Sequence, residues 1–344
     1  MKIIIAAGGT GGHIYPGIAI AEELQLKDAN NQILFIGAQG GIERGIVEKE
    51  GFKIKEISAR GMLRKLSWKA ISAPFVTLAG FWQSINLLKQ EQPDRVVATG
   101  GYVALPVIMA AKICKIPVLL HEQNTVPGIT NRFCSKLVDR IALTFAETKK
   151  YFNGDLVGNP VRQKILKVER REDNLFTVLV FGGSQGARSI NRAVNKMAES
   201  FADGGTKIIH VAGERDIGKL EEKKLPFYTL LAYMYNIEEG YRIADLVVSR
   251  AGATAIAEIV AVGLPSILIP FPYSSEGHQE KNAKLVEALG AAVVLPDDQL
   301  DQLADLIKSL KKEKTRLSKM SAAARKIARR EAGAEIVRMI YEKY

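Results

Sequence analysis

Two kinds of hydrophobic patterning alternate along the chain. Short continuous apolar runs stand at 2–7 ("KIIIAA"), 32–38 ("QILFIGA"), 95–101 ("RVVATGG"), 117–123 ("PVLLHEQ") and 140–145 ("RIALTF"), separated by longer stretches of helical periodicity. The series then restarts with "FTVLVFGG", "TKIIHVAG", "LVVSRAG", "PSILIPF" and "AAVVLP". Strands without polar alternation are buried on both faces, which predicts parallel sheets covered by helices, a doubly wound α/β arrangement. "FTVLVFGGSQGARSINRAV" repeats the strand, glycine turn and helix order of "KIIIAAGGTGGHIYPGIAI" half a chain later. Two Rossmann-like domains facing a cleft are therefore expected, rather than one large sheet.

The border falls near "LVGNPVRQKI", where Gly158, Asn159 and Pro160 break the periodicity. The reading divides the chain into 1–158, 159–328 and a closing helix at 329–344 able to pack back on the first domain. Residues 70–88, "AISAPFVTLAGFWQSINLL", approach the length of a membrane span, but Pro74, Ser72, Gln83, Ser84 and Asn86 interrupt the run. A pair of amphipathic or buried helices is expected there.

Composition narrows the class. With 344 residues, 47% hydrophobic and 25% charged, the chain has the balance of a globular protein. Cys114 and Cys134 form no CxxC and no second pair, so a disulfide framework and a zinc site are both excluded and a reducing cytoplasm is expected. The first residues carry no basic leader and no cleavage site, so no secretion is expected. A formal charge of +11 points to phosphate-bearing partners. No acidic residue lies between Glu56 and Glu91, where Arg60, Arg64, Lys65 and Lys69 fall among Met62, Leu63, Leu66, Trp68, Phe75, Phe81 and Trp82. That stretch is either a surface for anionic lipid or a helix packed into the core.

Three glycine turns precede helices: "GGTGGH" at 8–13, "TGGYVALP" at 99–106 and "GGSQGA" at 182–187. A helix start offers unpaired N–H groups and the positive end of its dipole, and glycine lets phosphate oxygens come close. Tight strand-to-helix packing asks for the same residue. Gly11, Gly12, Gly100, Gly101, Ser184 and Gln185 are the candidates these turns supply. Ile14 stands where a dinucleotide fingerprint needs its third glycine, no acidic residue ends "LFIGA", and there is no P-loop. A nicotinamide cofactor is disfavoured and no cofactor is expected. Without a D-x-D pair, phosphate binding without metal is the consistent reading, with helix ends and basic side chains neutralising the anion.

Of the four histidines, His210 follows an apolar strand and reads as core. His121 opens "HEQN", where Glu122, Gln123 and Asn124 crowd a strand end of the kind that borders a ligand crevice. His13 is the candidate base, since imidazole titrates near neutrality and this one sits at the mouth of an anion-binding turn; otherwise it bonds a neighbouring carbonyl. In "SRAGATAIAE", Arg250, Gly252, Ala253 and Thr254 join a strand to a helix carrying Glu258. That carboxylate either accepts from both hydroxyls of a ribose or caps its helix. "GHQEKNA" offers His278, Gln279 and Asn282 for sugar hydroxyls, or a polar loop entering a helix.

"GGTGGHIYPGIAIAEEL", "ATGGYVALP", "HEQNTVPGITNR", "GNPVR", "FGGSQGA" and "SRAGATAIAE" occur in this order, and together they closely resemble the MurG family, the N-acetylglucosaminyltransferases of peptidoglycan synthesis. The resemblance spans nearly the whole chain. It implies a glycosyltransferase B fold, an acceptor site on the first domain and the sugar donor on the second. The implied hexosyltransferase reaction moves N-acetylglucosamine from UDP-N-acetylglucosamine to the muramoyl 4-hydroxyl of undecaprenyl-pyrophosphoryl-N-acetylmuramoyl-pentapeptide, with inversion, at the cytoplasmic face of the cell membrane. It assigns Thr10, Gly11 and Gly12 to the first loop with His13 as base, and places Asn124, Arg162, Ser184, the backbone at Met234, the segment from Ala253 to Glu258, and Gln279 around the UDP-sugar. Where some members have serine and a second glutamine, this chain reads "RAGAT" and "HQ" at 278 and 279. The acid-free stretch 57–90 then suits the anionic inner leaflet as a peripheral attachment. The rivals are a nucleotide-sugar epimerase of the same plan, which would release UDP without a lipid acceptor, and a non-catalytic basic membrane binder. No nucleic-acid motif is present.

Overall fold

The structure, a computed structural model, describes residues 1–61, 68–171, 175–183, 186–202 and 204–342, with 68–74 described as backbone only. Ser184, Gln185 and the side chains of Arg64, Lys65, Trp68 and Lys69 lie outside the described residues. The chain forms two compact units, Met1–Gln163 with Arg329–Tyr344, and Lys164–Ala328.

The first unit is built on a seven-stranded sheet, wholly parallel, in the order β3-β2-β1-β4-β5-β6-β7. These strands are β1 (Lys2–Ala7), β2 (Gln32–Ala38), β3 (Lys53–Ile57), β4 (Arg95–Gly100), β5 (Val118–Glu122), β6 (Arg140–Leu143) and β7 (Asp155–Leu156). Alternation along β1 feeds two separate cores. Ile4 and Ala6 pack with Val96, Val107 and Leu120, while Ile3 and Ile5 pack with Ile14, Ile18 and Leu24 of the helix Gly11–Lys27. The second core is completed by Ile336, Val337, Met339 and Ile340 of the helix Ala332–Tyr341, and Tyr341 Oη donates to Asn31 Oδ1 at 3.1 Å.

The second unit repeats the topology with six parallel strands in the order β10-β9-β8-β11-β12-β13. They are β8 (Phe176–Phe181), β9 (Thr206–Val211), β10 (Tyr228–Leu231), β11 (Leu246–Arg250), β12 (Ser266–Ile269) and β13 (Ala292–Val294). Val178, Val180, Val248 and Ile267 face one core; Leu268 faces another with Ala251, Ile256 and Val260. In both units the chain winds outward in one direction from the first strand and later returns beside it. The carboxyl ends of β1 and β4, and of β8 and β11, therefore mark the point where strand order reverses and a crevice opens.

Three details depart from expectation. Residues 159–163 belong to the first unit, because Gln163 N donates to Glu22 Oε2 at 2.7 Å and Gln163 Nε2 bonds Glu23, both on Gly11–Lys27. The segment at 70–88 lies within one continuous helix, Trp68–Glu91, instead of a pair. Strands β3, β7 and β10, each at a sheet edge, have no counterpart among the apolar runs. Among the described residues no helix is long and apolar enough to cross a membrane.

Candidate active site

The first glycine turn leaves β1 and enters Gly11–Lys27 through Thr10, which is extended at φ −148° and makes no side-chain cap bond. One helical step later, His13 is half-buried with Nδ1 2.8 Å from the carbonyl oxygen of Thr99. A carbonyl only accepts, so Nδ1 carries the hydrogen and the lone pair of the neutral ring lies on Nε2, as a general base requires. Thr99 Oγ1 donates to the His13 carbonyl at 2.7 Å, fixing the ring's backbone as well as its tautomer. Both readings of His13 thus meet in one geometry: bonding the neighbouring carbonyl is what presents the other nitrogen.

The second turn serves that seat. Gly100 has φ +103°, and a Cβ there would stand 2.9 Å from His13 Nδ1; one on Gly101 would meet the Gly8 carbonyl at 2.0 Å. Of these two glycines, expected to admit phosphate, the first is required by the close approach of β4's end to the His13 ring and the second by that of the Gly8 carbonyl. Thr10 and Gly12 are exposed and Gly11 is buried at the helix start.

Within "HEQN" the functional assignment shifts. His121 is fully buried, with Nε2 donating to the Gly158 carbonyl at 3.1 Å, and burial pushes its pKa down to about 4. Glu122 is 1% exposed; Oε1 accepts from Asn124 N at 2.9 Å and Oε2 from Asn131 Nδ2 at 2.7 Å. Burial raises its carboxyl to about 6, against the lowering effect of these donors. Glu122 therefore holds Asn124 and is not itself placed to meet a ligand, whereas Asn124 remains half-buried and reachable.

The residues around the first turn include one that sequence reading missed. Glu43 is buried, and its Oε1 accepts from Gly9 N at 2.6 Å, so a carboxylate underlies the loop. Only the glycine spacing of "GAQGGIERG" signals it, because Gly37 and Gly41 lie against the Glu43 side chain.

In the second unit, β11 passes through Gly252 into the helix Ala253–Val262 with no side-chain cap. A Cβ on Gly252 would meet nothing within 4 Å, and its φ of −69° is open to any residue, so the fold itself does not ask for glycine. Ala253 is buried, Thr254 half-buried, and Glu258 is buried with Oε2 accepting from Tyr241 Oη at 3.2 Å. Gln279 Oε1 accepts from Phe271 N at 2.9 Å and thereby shapes the loop after β12. His278 Nδ1 lies 2.7 Å from the Ser275 carbonyl, with burial lowering its pKa. Met234 is half-buried with its sulfur against Gly240.

Two arginines among the candidate ligand contacts, Arg250 and Arg162, are held within their units. Arg250 Nη1 bonds the Pro270 carbonyl at 3.2 Å and Asp297, and its Nη2 donates to Ser189 Oγ at 2.7 Å. It ties β11 to the loop after β12. Arg162 lies in the first unit, 3% exposed, stacked 4.1 Å over the Tyr15 ring with Nη1 3.5 Å from Glu50 Oε1. His210 packs as expected, its Nδ1 2.8 Å from Tyr228 Oη and its Nε2 3.0 Å from Asn191 Oδ1. Among the described residues no cluster of three His, Cys, Asp or Glu side chains could hold a metal ion.

Comparison with known proteins bears on the fold and the family. Residues 3–143 match the glycosyltransferase family 28 N-terminal domain and residues 177–336 its C-terminal domain. The chain is 41% identical to the UDP-N-acetylglucosamine–N-acetylmuramyl-(pentapeptide) pyrophosphoryl-undecaprenol N-acetylglucosamine transferase of Desulforamulus reducens, covering 99% of this chain and 98% of that one. It is 40% identical to the protein of the same name from Halothermothrix orenii, at the same coverage. The crystal structure of Acinetobacter baumannii MurG superposes with a TM-score of 0.76 at 28% identity over 98% of both chains. Two parallel-sheet units of repeated strand order, each with a helix start at its switch point, and matches in both halves establish that the chain belongs to glycosyltransferase family 28.

Proposed function

We propose that this protein transfers N-acetylglucosamine from UDP-N-acetylglucosamine to undecaprenyl-pyrophosphoryl-N-acetylmuramoyl-pentapeptide, forming the disaccharide lipid of peptidoglycan synthesis. The observation that carries the reading is His13, held by Thr99 as the Nδ1–H tautomer at the mouth of a glycine turn. Its Nε2 takes the proton of the muramoyl 4-hydroxyl as that oxygen attacks the anomeric carbon and UDP departs, in one inverting step. The uncapped start of Ala253–Val262 supports the departing diphosphate, and Glu258 accepts from the ribose hydroxyls. Thr10, Gly11 and Gly12 receive the acceptor's pyrophosphate, while Asn124 and Gln279 address the sugar.

The protein attaches to the membrane from the cytoplasmic side through its first unit. Phe75, Leu78 and Trp82 recur at positions that share one face of Trp68–Glu91 and are 73%, 54% and 58% exposed. A stripe of this kind, in a segment free of acidic residues, suits an anionic leaflet.

Radiolabelled UDP-N-acetylglucosamine incubated with the protein and a short-chain lipid acceptor should give labelled lipid. Release of UDP without labelled lipid would favour an epimerase or hydrolase. Replacing Phe75, Leu78 and Trp82 by serine should reduce sedimentation with anionic vesicles, and undiminished sedimentation would discard the attachment.

A further inference from the structure

Behind His13 lies a directional chain of hydrogen bonds that the base assignment does not use. The Thr99 carbonyl oxygen is 2.8 Å from His13 Nδ1 and also 2.6 Å from Gln123 Nε2. The same amide nitrogen is 3.2 Å from His121 Nδ1, and His121 Nε2 is 3.1 Å from the Gly158 carbonyl. Every direction follows from the last bond. The carbonyl of Gly158 can only accept, so His121 carries its hydrogen on Nε2; burial keeps the ring neutral, so Nδ1 offers a lone pair. One amide hydrogen of Gln123 goes to that lone pair and the other to Thr99 O.

The amide is not there for packing. Gln123 is 1% exposed and its Oε1 is buried with no partner, which is destabilising in an interior. A methionine of similar length would fill the site without an orphan oxygen. What methionine lacks is the pair of N–H groups, each of which reaches an acceptor.

We propose that Gln123 is a positioning residue for His13: by donating to the shared Thr99 carbonyl it fixes that oxygen's direction and holds the His13 ring in the Nδ1–H tautomer, with Nε2 as the proton acceptor. The proposal rests on the reading of His13 as the base. Gln123 touches neither substrate in this scheme and acts only through the carbonyl.

The test combines kinetics with a spectroscopic signature on the full-length protein. Long-range proton–nitrogen NMR at a pH where His13 is neutral, with its signals assigned by their loss in His13→Ala, should show Nδ1–H as the main tautomer. Gln123→Met should raise the Nε2–H fraction and lower kcat about tenfold, with KM for both substrates within about twofold. A wild-type ring protonated on Nε2 overturns the proposal, and that measurement decides the matter should the variant not fold. So does an unchanged tautomer or an unchanged kcat in Gln123→Met. Full turnover in His13→Ala would instead remove the base assignment, leaving the tautomer result to judge the positioning claim separately.

Discussion

The two units place their functional groups at the same topological point and use glycine there for opposite reasons. In the first, Gly100 at φ +103° has no room for a side chain because the His13 ring fills the space. In the second, Gly252 has an ordinary φ and empty space beside it. Packing explains the first glycine; the second is a helix N-cap with open space beside it, and neither φ nor a neighbouring atom demands it. The first switch point is thus occupied by the protein's own imidazole, and the second is left open over a helix start with a carboxylate one turn and a half in. A shared strand order gives each unit a crevice, and in the function proposed above what fills it divides proton transfer from nucleotide binding.

The sharpest break in this comparison comes from His13→Ala. Turnover should fall about 10²- to 10⁴-fold, the contribution typical of a general base, with the donor KM nearly kept; steady-state kinetics with both substrates checks it, and retained turnover would erase the division of labour. Glu258→Ala should do the reverse. Donor KM should rise about 10- to 100-fold, as expected for hydrogen bonds to a charged group worth ~1.5–3 kcal/mol, and calorimetry with UDP giving equal affinity would remove the ribose contact.

Acid should separate the units more gently. His210, buried with a pKa of about 4, stays neutral in the fold while the unfolded chain takes up protons near the ordinary 6.5. Its contribution is intact above 6.5 and is lost as pH falls towards 4, about 2 kcal/mol between pH 7 and 5. His121 behaves alike, but Glu122, raised to about 6, stabilises the fold below its unfolded value and loses that contribution as pH rises through 6. Over the same drop it recovers about 1 kcal/mol. Hydrogen exchange at pH 7 and 5 should therefore show the strand around His210 loosening more than that around His121; equal loosening would contradict the opposed signs. The smallest effect is Gly252→Ala. Stability should stay within about 1 kcal/mol, since the loss of a favourable N-cap offsets the gain in chain stiffness. Donor KM should rise roughly fivefold, ~1 kcal/mol for an added methyl in a close contact; an unchanged KM would mean that nothing approaches there.

What was legible in the sequence follows burial. Strands covered on both faces announce themselves as apolar runs, and all ten such runs became strands. The strands that escaped, β3, β7 and β10, stand at sheet edges, where half the surface is wet. In β3 the sequence is "KIKEI", with Lys53 and Lys55 exposed, so the run dissolves into alternation. The site was legible as far as its loops. The glycine turns, His13 and Asn124 could be picked out by residue type, but residue type alone does not say whether a polar group faces ligand or protein. Glu122, Arg162 and Arg250 carry the chemistry of ligand contacts, yet each is occupied by partners that sequence distance conceals, such as Ser189 and Asp297 for Arg250. Gln123 was picked out with its loop but not in its role, for the converse reason: the backbone carbonyl of Thr99 leaves no signature in sequence, and the glutamine's bond is to that carbonyl.

The return of Ala332–Tyr341 to the first unit has a bearing on how the protein is made. Ile336, Val337 and Ile340 close a core begun by Ile3 and Ile5, so the amino-terminal half cannot finish its interior until the intervening Lys164–Ala328 has been synthesised. On the ribosome, the later-encoded unit has its residues in one unbroken run, while the earlier one waits for a helix encoded beyond it.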